Sequence, residues 1–177
     1  MKTIKRVLLL VFTAFTIVSC NSDSDFPNPL LTIELDGREI LYIPLVYLKD
    51  NLISHQISIF DPVHGKQKNY RAFLLREVLV FSYGTDLTSL NLDDVTLTYS
   101  ALDGFSATAT GALSIEQGGY IAYEDLDIEG PSNWERVAPE NNNDPAPLYI
   151  VWSGDNQNPT TDGYPWPYQL SKINLTR

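Results

Sequence analysis

Two histidines, one cysteine, an acidic run and a basic cluster are where side-chain type and spacing bear on chemistry in this 177-residue sequence. His55 alternates with Ile53, Ile57 and Ile59, so it falls on an apolar strand face and reads as a hydrogen-bonded core histidine. His64 belongs to Asp61-Pro62-Val63-His64-Gly65, a turn sequence in which a solvated ring is expected. The two lack the helical i, i+4 spacing that a zinc motif needs. Glu124, Asp125, Asp127 and Glu129 carry the oxygen ligands that a hard cation takes. With no second carboxylate set fixed beside them, they read as a solvated strand end. Asp155-Asn156-Gln157-Asn158 lacks the sixth-position Gly and the closing Glu of a calcium loop. No metal site is therefore expected. Lys66, Lys68, Arg71 and Arg76 put four cations within eleven positions. They form either an anion-facing patch or a solvated hairpin leading into a helix. A Gly-x-Ser-x-Gly elbow, a Walker loop and Gly-x-Gly-x-x-Gly are all missing, so ordinary nucleophilic and phosphate chemistry lack their parts.

Aromatic placement offers a different kind of site. Tyr164-Pro165-Trp166-Pro167-Tyr168 sets three rings on a chain stiffened by two prolines. Such a segment suits either a ligand-binding surface or a lid packed over the end of a sheet.

The elements that must position these residues follow from apolar periodicity. Leu30 to Leu35 and Glu39 to Ile43 flank Asp36-Gly37, a hairpin signal because both turn positions favour positive φ. Pro44 to Asp50 is expected as one or two helical turns, and 53–59 as a half-buried strand. Helical spacing of Leu74, Leu75, Val78 and Leu79 predicts a short helix over 73–82, ending near Gly84. Val95, Leu97, Tyr99 and Ala101 alternate; Asp103-Gly104 turns the chain; Phe105, Ala107 and Ala109 line the return strand. Further strands are expected at Tyr120 to Leu126, Leu148 to Trp152 and Tyr168 to Leu175, with loops at Pro139 to Pro147 and Asp155 to Pro167. The sum is one β-rich α+β domain over 30–177 with one or two short helices.

Lys2, Lys5 and Arg6 precede a 12-residue apolar run from Val7 to Val18. That run is too short to span a bilayer, which takes about 20 residues as a helix, and reads as a signal-peptide core. Ile17-Val18-Ser19-Cys20 then resembles a bacterial lipobox, with the single cysteine as the lipidated residue. Residues 1–19 read as the signal peptide and 20–29 as a polar, Pro-containing tether. The expected location is the cell envelope, anchored by lipid at the outer membrane or periplasmic face. Cleavage removes three positive charges and no negative ones, deepening the net charge from −10 to −13. So acidic a chain argues against a nucleic-acid partner, which requires a surplus of Lys and Arg on one face. One cysteine excludes an internal disulfide framework and any multi-cysteine metal site.

From about Ile53 to Leu175 the order of segments resembles the oxidoreductase molybdopterin-binding domain of sulfite oxidase-like enzymes. Ile53–Phe60 followed by Tyr70-Arg71-Ala72-Phe73-Leu74-Leu75-Arg76-Glu77-Val78-Leu79 is similar to the family's strand, loop and short helix. Val95 to Ala101 running into Asp103-Gly104-Phe105 resembles its strand and Asp-Gly-aromatic turn. Pro147-Leu148-Tyr149-Ile150-Val151 resembles its late Pro-Leu-Arg-aliphatic strand, and Trp166-Pro167-Tyr168-Gln169-Leu170-Ser171-Lys172-Ile173 its closing strand. The resemblance implies a mixed-sheet fold, a molybdopterin cofactor and an electron-transfer protein as partner. It also implies a ligand cleft among Asp61, Arg71, Asp103, Phe105, Tyr149, Trp166 and Tyr168. Several departures accompany it. Asp61 stands where the family has its molybdenum-binding cysteine thiolate, Tyr149 in place of the late-strand Arg, and Gln169 where a Lys is common. Two classes of function stay open: a divergent component of a membrane-linked redox chain, and a non-catalytic binding lipoprotein that keeps only the fold.

Overall fold

A computed structural model describes residues 30–84, 87, 89–130, 133–137, 144–154 and 163–177. The expected signal peptide, tether and lipidation site at Cys20 lie outside the described residues. So do Asn141-Asn142-Asn143 and the Asp155–Asn158 run. Among the described residues no helix is long and apolar enough to cross a membrane.

The first hairpin forms as its turn dictates. Strands β1 (Leu30–Leu35) and β2 (Arg38–Pro44) pair antiparallel around Asp36 and Gly37, whose φ values are 50° and 75°. Both are left-handed, as a two-residue hairpin turn matching strand twist requires. Pro44 then leads directly into helix α1 (Leu45–Asn51), which buries Leu45 and Leu48. The second hairpin joins β3 (His55–Asp61) to β4 (Lys66–Leu74), and Leu74 begins helix α2 (Leu75–Tyr83). Next come a 3₁₀ turn at Leu92–Asp94 and a third hairpin of β5 (Thr96–Ala101) and β6 (Ser106–Thr110). Helix α3 is a single turn, Gly111–Ser114, whose Leu113 N–H donates to the Thr110 hydroxyl. Strands β7 (Gly119–Asp125), β8 (Tyr149–Trp152) and β9 (Leu170–Thr176) complete the chain.

Two sheets result. One has five strands in the order β2-β1-β9-β5-β6, with β1 and β9 parallel and the other pairs antiparallel; the second has four, β3-β4-β7-β8, antiparallel throughout. Buried residues from both sheets and from α1 and α2 form one apolar core. Helix α2 ties the sheets together, because the Tyr83 hydroxyl donates to the carbonyls of Glu34 on β1 and Ile173 on β9. The domain is thus a strand-rich α+β fold with a few short helices, as the periodicity indicates.

Element ends moved where side chains or backbone required it. Ile53 is 68% exposed and precedes β3. The last strand starts at Leu170, since Gln169 has φ 54° and its N–H donates to the Pro145 carbonyl.

β8 ends its sheet, yet all four of its residues are buried. The segment 163–168 covers it. Trp152 Nε1 donates to the Pro165 carbonyl at 2.7 Å, and the Ile150 N–H donates to the Pro167 carbonyl at 3.1 Å. Trp166 packs 6.1 Å from Tyr149 and Tyr164 packs 4.8 Å from Trp152, measured between ring centroids. The proline-stiffened aromatics are the lid of a sheet edge, which otherwise would offer unpaired backbone groups.

Candidate functional site

Asp61 is the last residue of β3, fully buried, and it gathers donors from three elements. Oδ1 accepts the backbone N–H of Val63 at 2.8 Å and of His64 at 3.1 Å, the geometry of an Asp-initiated turn. Tyr149 on β8 adds its hydroxyl to Oδ1 at 3.3 Å. Oδ2 accepts the Tyr70 hydroxyl at 2.7 Å and His64 Nδ1 at 3.1 Å. Burial pushes the Asp61 carboxyl up, but the hydrogen bonds from His64 and Tyr70 outweigh it and hold the group below its ordinary value. Burial alone would lower His64; its bond to Asp61 and that carboxylate's charge raise it above 6.5. As an imidazolium the ring donates from both nitrogens, to Asp61 and, at 3.3 Å, to the Glu135 carbonyl. Burial, with the charge of Asp61, drives Tyr70 and Tyr149 well above the usual phenol range, so both stay donors.

The expectation of a solvated His64 is therefore corrected: its side chain is 3% exposed because the turn folds it back onto the carboxylate that starts the turn. His55 departs the other way. It is half-buried, its ring lies edge-on to Tyr120, and its buried Nε2 has no hydrogen-bond partner among the described residues.

A second polar cluster lies beside the first. Lys68 is fully buried on β4, two residues from Tyr70 and on the same face. Its ammonium donates to Asp125 Oδ1 and Oδ2 at 2.9 and 2.8 Å and to Glu135 Oε2 at 2.9 Å, with Asp127 Oδ2 at 3.4 Å. Burial would lower this ammonium, but its hydrogen bonds to Asp125 and Glu135 raise it above its ordinary value. The acidic run is thus no solvated strand end. Asp125 is buried against Lys68, and Asp127 accepts the Asn69 backbone and side-chain N–H groups at 2.9 and 2.7 Å. A lysine ammonium sits where the carboxylates converge, and among the described residues no group of three or more His, Cys, Asp or Glu is arranged to hold a metal ion.

The basic cluster is likewise divided. Lys66 pairs with Glu135 at 2.5 Å, Lys68 is internal, and Arg71 pairs with Glu124 at 3.0 Å. Among the described residues, only Arg76 of these four has no carboxylate partner. It is exposed near the start of α2 and lines a cavity of about 450 Å³ with Leu74, Gln117, Gly118, Tyr120 and Ser153. Sequence reasoning missed this cavity. Its lining comes from the start of α2, the approach to β7 and the end of β8, a juxtaposition fixed only by strand order.

The expected cleft residues separate into three places. Asp61, Tyr149 and Trp166 meet in the core. Arg71 alternates with Tyr70 along β4 and joins Glu124 instead. Asp103 and Phe105 lie at the exposed tip of the β5–β6 hairpin, where Asp103 Oδ1 accepts the Phe105 N–H at 2.9 Å. Tyr168 is half-buried beside Gln169, whose carbonyl accepts the Leu102 N–H near that tip.

The molybdopterin group implied by the resemblance does not fit these residues. Asp61 has five protein donors on its two oxygens and no exposure, leaving no free lone pair aimed at solvent or a cavity. Tyr149 is spent on Asp61, and three of the four clustered cations are neutralised by carboxylates. Compared with known proteins, the chain matches no family model and no curated relative.

Proposed function

We propose that this chain is a lipid-anchored, extracytoplasmic binding domain that keeps a molybdopterin-oxidoreductase-like scaffold without that family's metal chemistry. The observation that carries this reading is the closure of Asp61. The position that would hold the metal has become a buried structural hub, satisfied by Val63, His64, Tyr70 and Tyr149. Support for the scaffold comes from where the segments that carry the resemblance fall: on β3, the β4–α2 junction, β5 with the turn after it, β8 and β9, in that order.

Binding is placed in the cavity at Arg76. A guanidinium with no carboxylate partner among the described residues and the hydroxyl of Ser153 suit a small anionic or strongly polar molecule. The acidity of the rest of the chain makes such a ligand depend on this single charge.

The test is made on full-length protein purified from a bacterial host. Molybdenum and pterin analysis is expected to find neither at stoichiometric level; one molybdenum per chain overturns the reading in favour of a redox subunit. Thermal shifts are then measured with inorganic phosphate and with citrate. At least one should stabilise the wild type and not Arg76→Gln. If neither does, or if the variant responds equally, the cavity is not the site.

A further inference from the structure

Five large apolar side chains are left 47% to 52% exposed where β1 begins and where β2 runs into α1: Leu30, Ile40, Tyr42, Val46 and Tyr47. Register explains why they gather. Leu30 lies opposite Pro44 and Thr32 opposite Tyr42, so Leu30 and Tyr42 are diagonal neighbours on one face of the hairpin. Val46 and Tyr47 follow on the helix that Pro44 starts. β2 is the edge strand of its sheet, and no described strand pairs with its outer side. The ring of Tyr47 reaches to 5.8 Å from Phe81, next to the 46% exposed Val80 of α2, which extends the apolar surface.

We propose that this face docks on the lipid surface to which the chain is anchored; the inference rests on the reading of Cys20 as the lipidated residue. Chain length and its point of attachment identify the occupant. Cys20 and Leu30 are ten residues apart, a reach of at most ~35 Å fully extended. Leu30 is itself part of the apolar face. An anchor at Cys20 would therefore keep the face that contains Leu30 within that reach of the bilayer.

The chemistry of the face agrees. Tyr42 and Tyr47 present an apolar ring with a polar tip, the composition favoured at the boundary between headgroups and hydrocarbon. The patch is small and the domain strongly acidic, so an unanchored chain should bind a membrane weakly. Anchoring raises the effective concentration of the face at the surface to the millimolar range, which converts a weak contact into a populated one. A second copy pairing through β2 is the competing occupant.

The experiment uses the full-length chain, acylated in a bacterial host and reconstituted into phosphatidylcholine vesicles with brominated acyl chains. Two variants are compared with the parent, Val46→Trp on α1 and Thr108→Trp on β6, the opposite edge of the same sheet. A residue seated at the headgroup boundary should have its added emission quenched by the brominated chains, whereas the Thr108→Trp signal should be unchanged. Equal quenching, or none in either variant, overturns docking, and a β2-paired dimer in the vesicles does the same. Fatty-acid labelling run in parallel, with Cys20→Ser as control, separates the causes. A labelled chain without selective quenching defeats the docking alone; an unlabelled chain defeats the anchor on which it rests.

Discussion

Asp61 and His64 form a couple whose two titrations bound a pH window. The carboxyl lies below its ordinary 3.8 in the folded chain, so its contribution is present above 3.8 and is lost as pH falls through the lowered folded value. The imidazole lies above 6.5, so its contribution is complete below 6.5 and is lost as pH rises through the raised value. Between those limits both are in force, and the pair contributes most near pH 5. His64→Gln should abolish the alkaline loss and leave the acid loss in place, read as unfolding midpoints in urea across pH 2 to 9. Asp61→Asn, which leaves His64 and Tyr70 facing an amide, should cost about 3 kcal/mol at pH 5, since buried donors to a charge lose their acceptor. Equal pH profiles for wild type and His64→Gln would show that the ring bears no charge in the fold. Part of this couple is legible in the sequence. An Asp that opens a turn and a His three residues later can meet, and Asp61-Pro62-Val63-His64 has that spacing. What local reading lacks is Tyr149, which arrives from 88 residues away and closes the carboxylate against solvent.

Along the elements, the hairpins and helices are local and were readable: Asp36-Gly37, Pro44, the spacing of Leu75, Val78 and Leu79, and Asp103-Gly104 each act within a few residues. The buried ion cluster is not local. Tyr70 lies opposite Asp125 in the β4–β7 register, which brings Lys68 diagonally against that carboxylate. Alternation of Lys68 with the buried Tyr70 and Ala72 was the available signal, and a run of charges concealed it. The energetic reading is specific. Lys68→Met should cost about 3–5 kcal/mol, because Asp125 is then buried without its counter-charge. Adding Asp125→Leu should recover a substantial part of that loss, since two apolar residues of similar size replace the pair. Chemical denaturation of the four members of this double-mutant cycle measures the coupling; additive losses would mean that Asp125 finds another partner. β7 carries a second constraint, at Gly119, where a Cβ would lie 2.8 Å from the Trp152 ring. That ring cannot retreat freely, as Nε1 is bonded to the Pro165 carbonyl beneath the aromatic cover.

At the scale of the whole molecule two electrostatic effects compete, and salt distinguishes them. Among the described residues, four ion pairs lie at least partly in solvent: Lys66–Glu135, Arg71–Glu124, Lys172–Glu34 and Arg177–Asp36. Each is worth at most about 1 kcal/mol and weakens as salt is added. Against them stands a net charge of −10 on the full chain, which signal cleavage would deepen to −13. Asp23 and Asp25 precede residue 30, so residues 30–177 carry −11, a surplus of carboxylates that repel one another over the surface of a small domain. That repulsion acts over many pairs at once, whereas the favourable pairs are few and already screened by water, so repulsion should win. Raising sodium chloride from about 10 mM to about 0.5 M shortens the screening length several-fold. The midpoint of thermal unfolding at pH 7 should then rise by about 3 °C, equivalent to roughly 1 kcal/mol for a domain of this length. The Lys68 cluster, buried and desolvated, should feel little of this screening. Lys68→Met should therefore show the same salt dependence as the wild type on a lower baseline. A midpoint that falls with salt would assign the stability of this fold to its surface pairs and leave its acidity without energetic consequence.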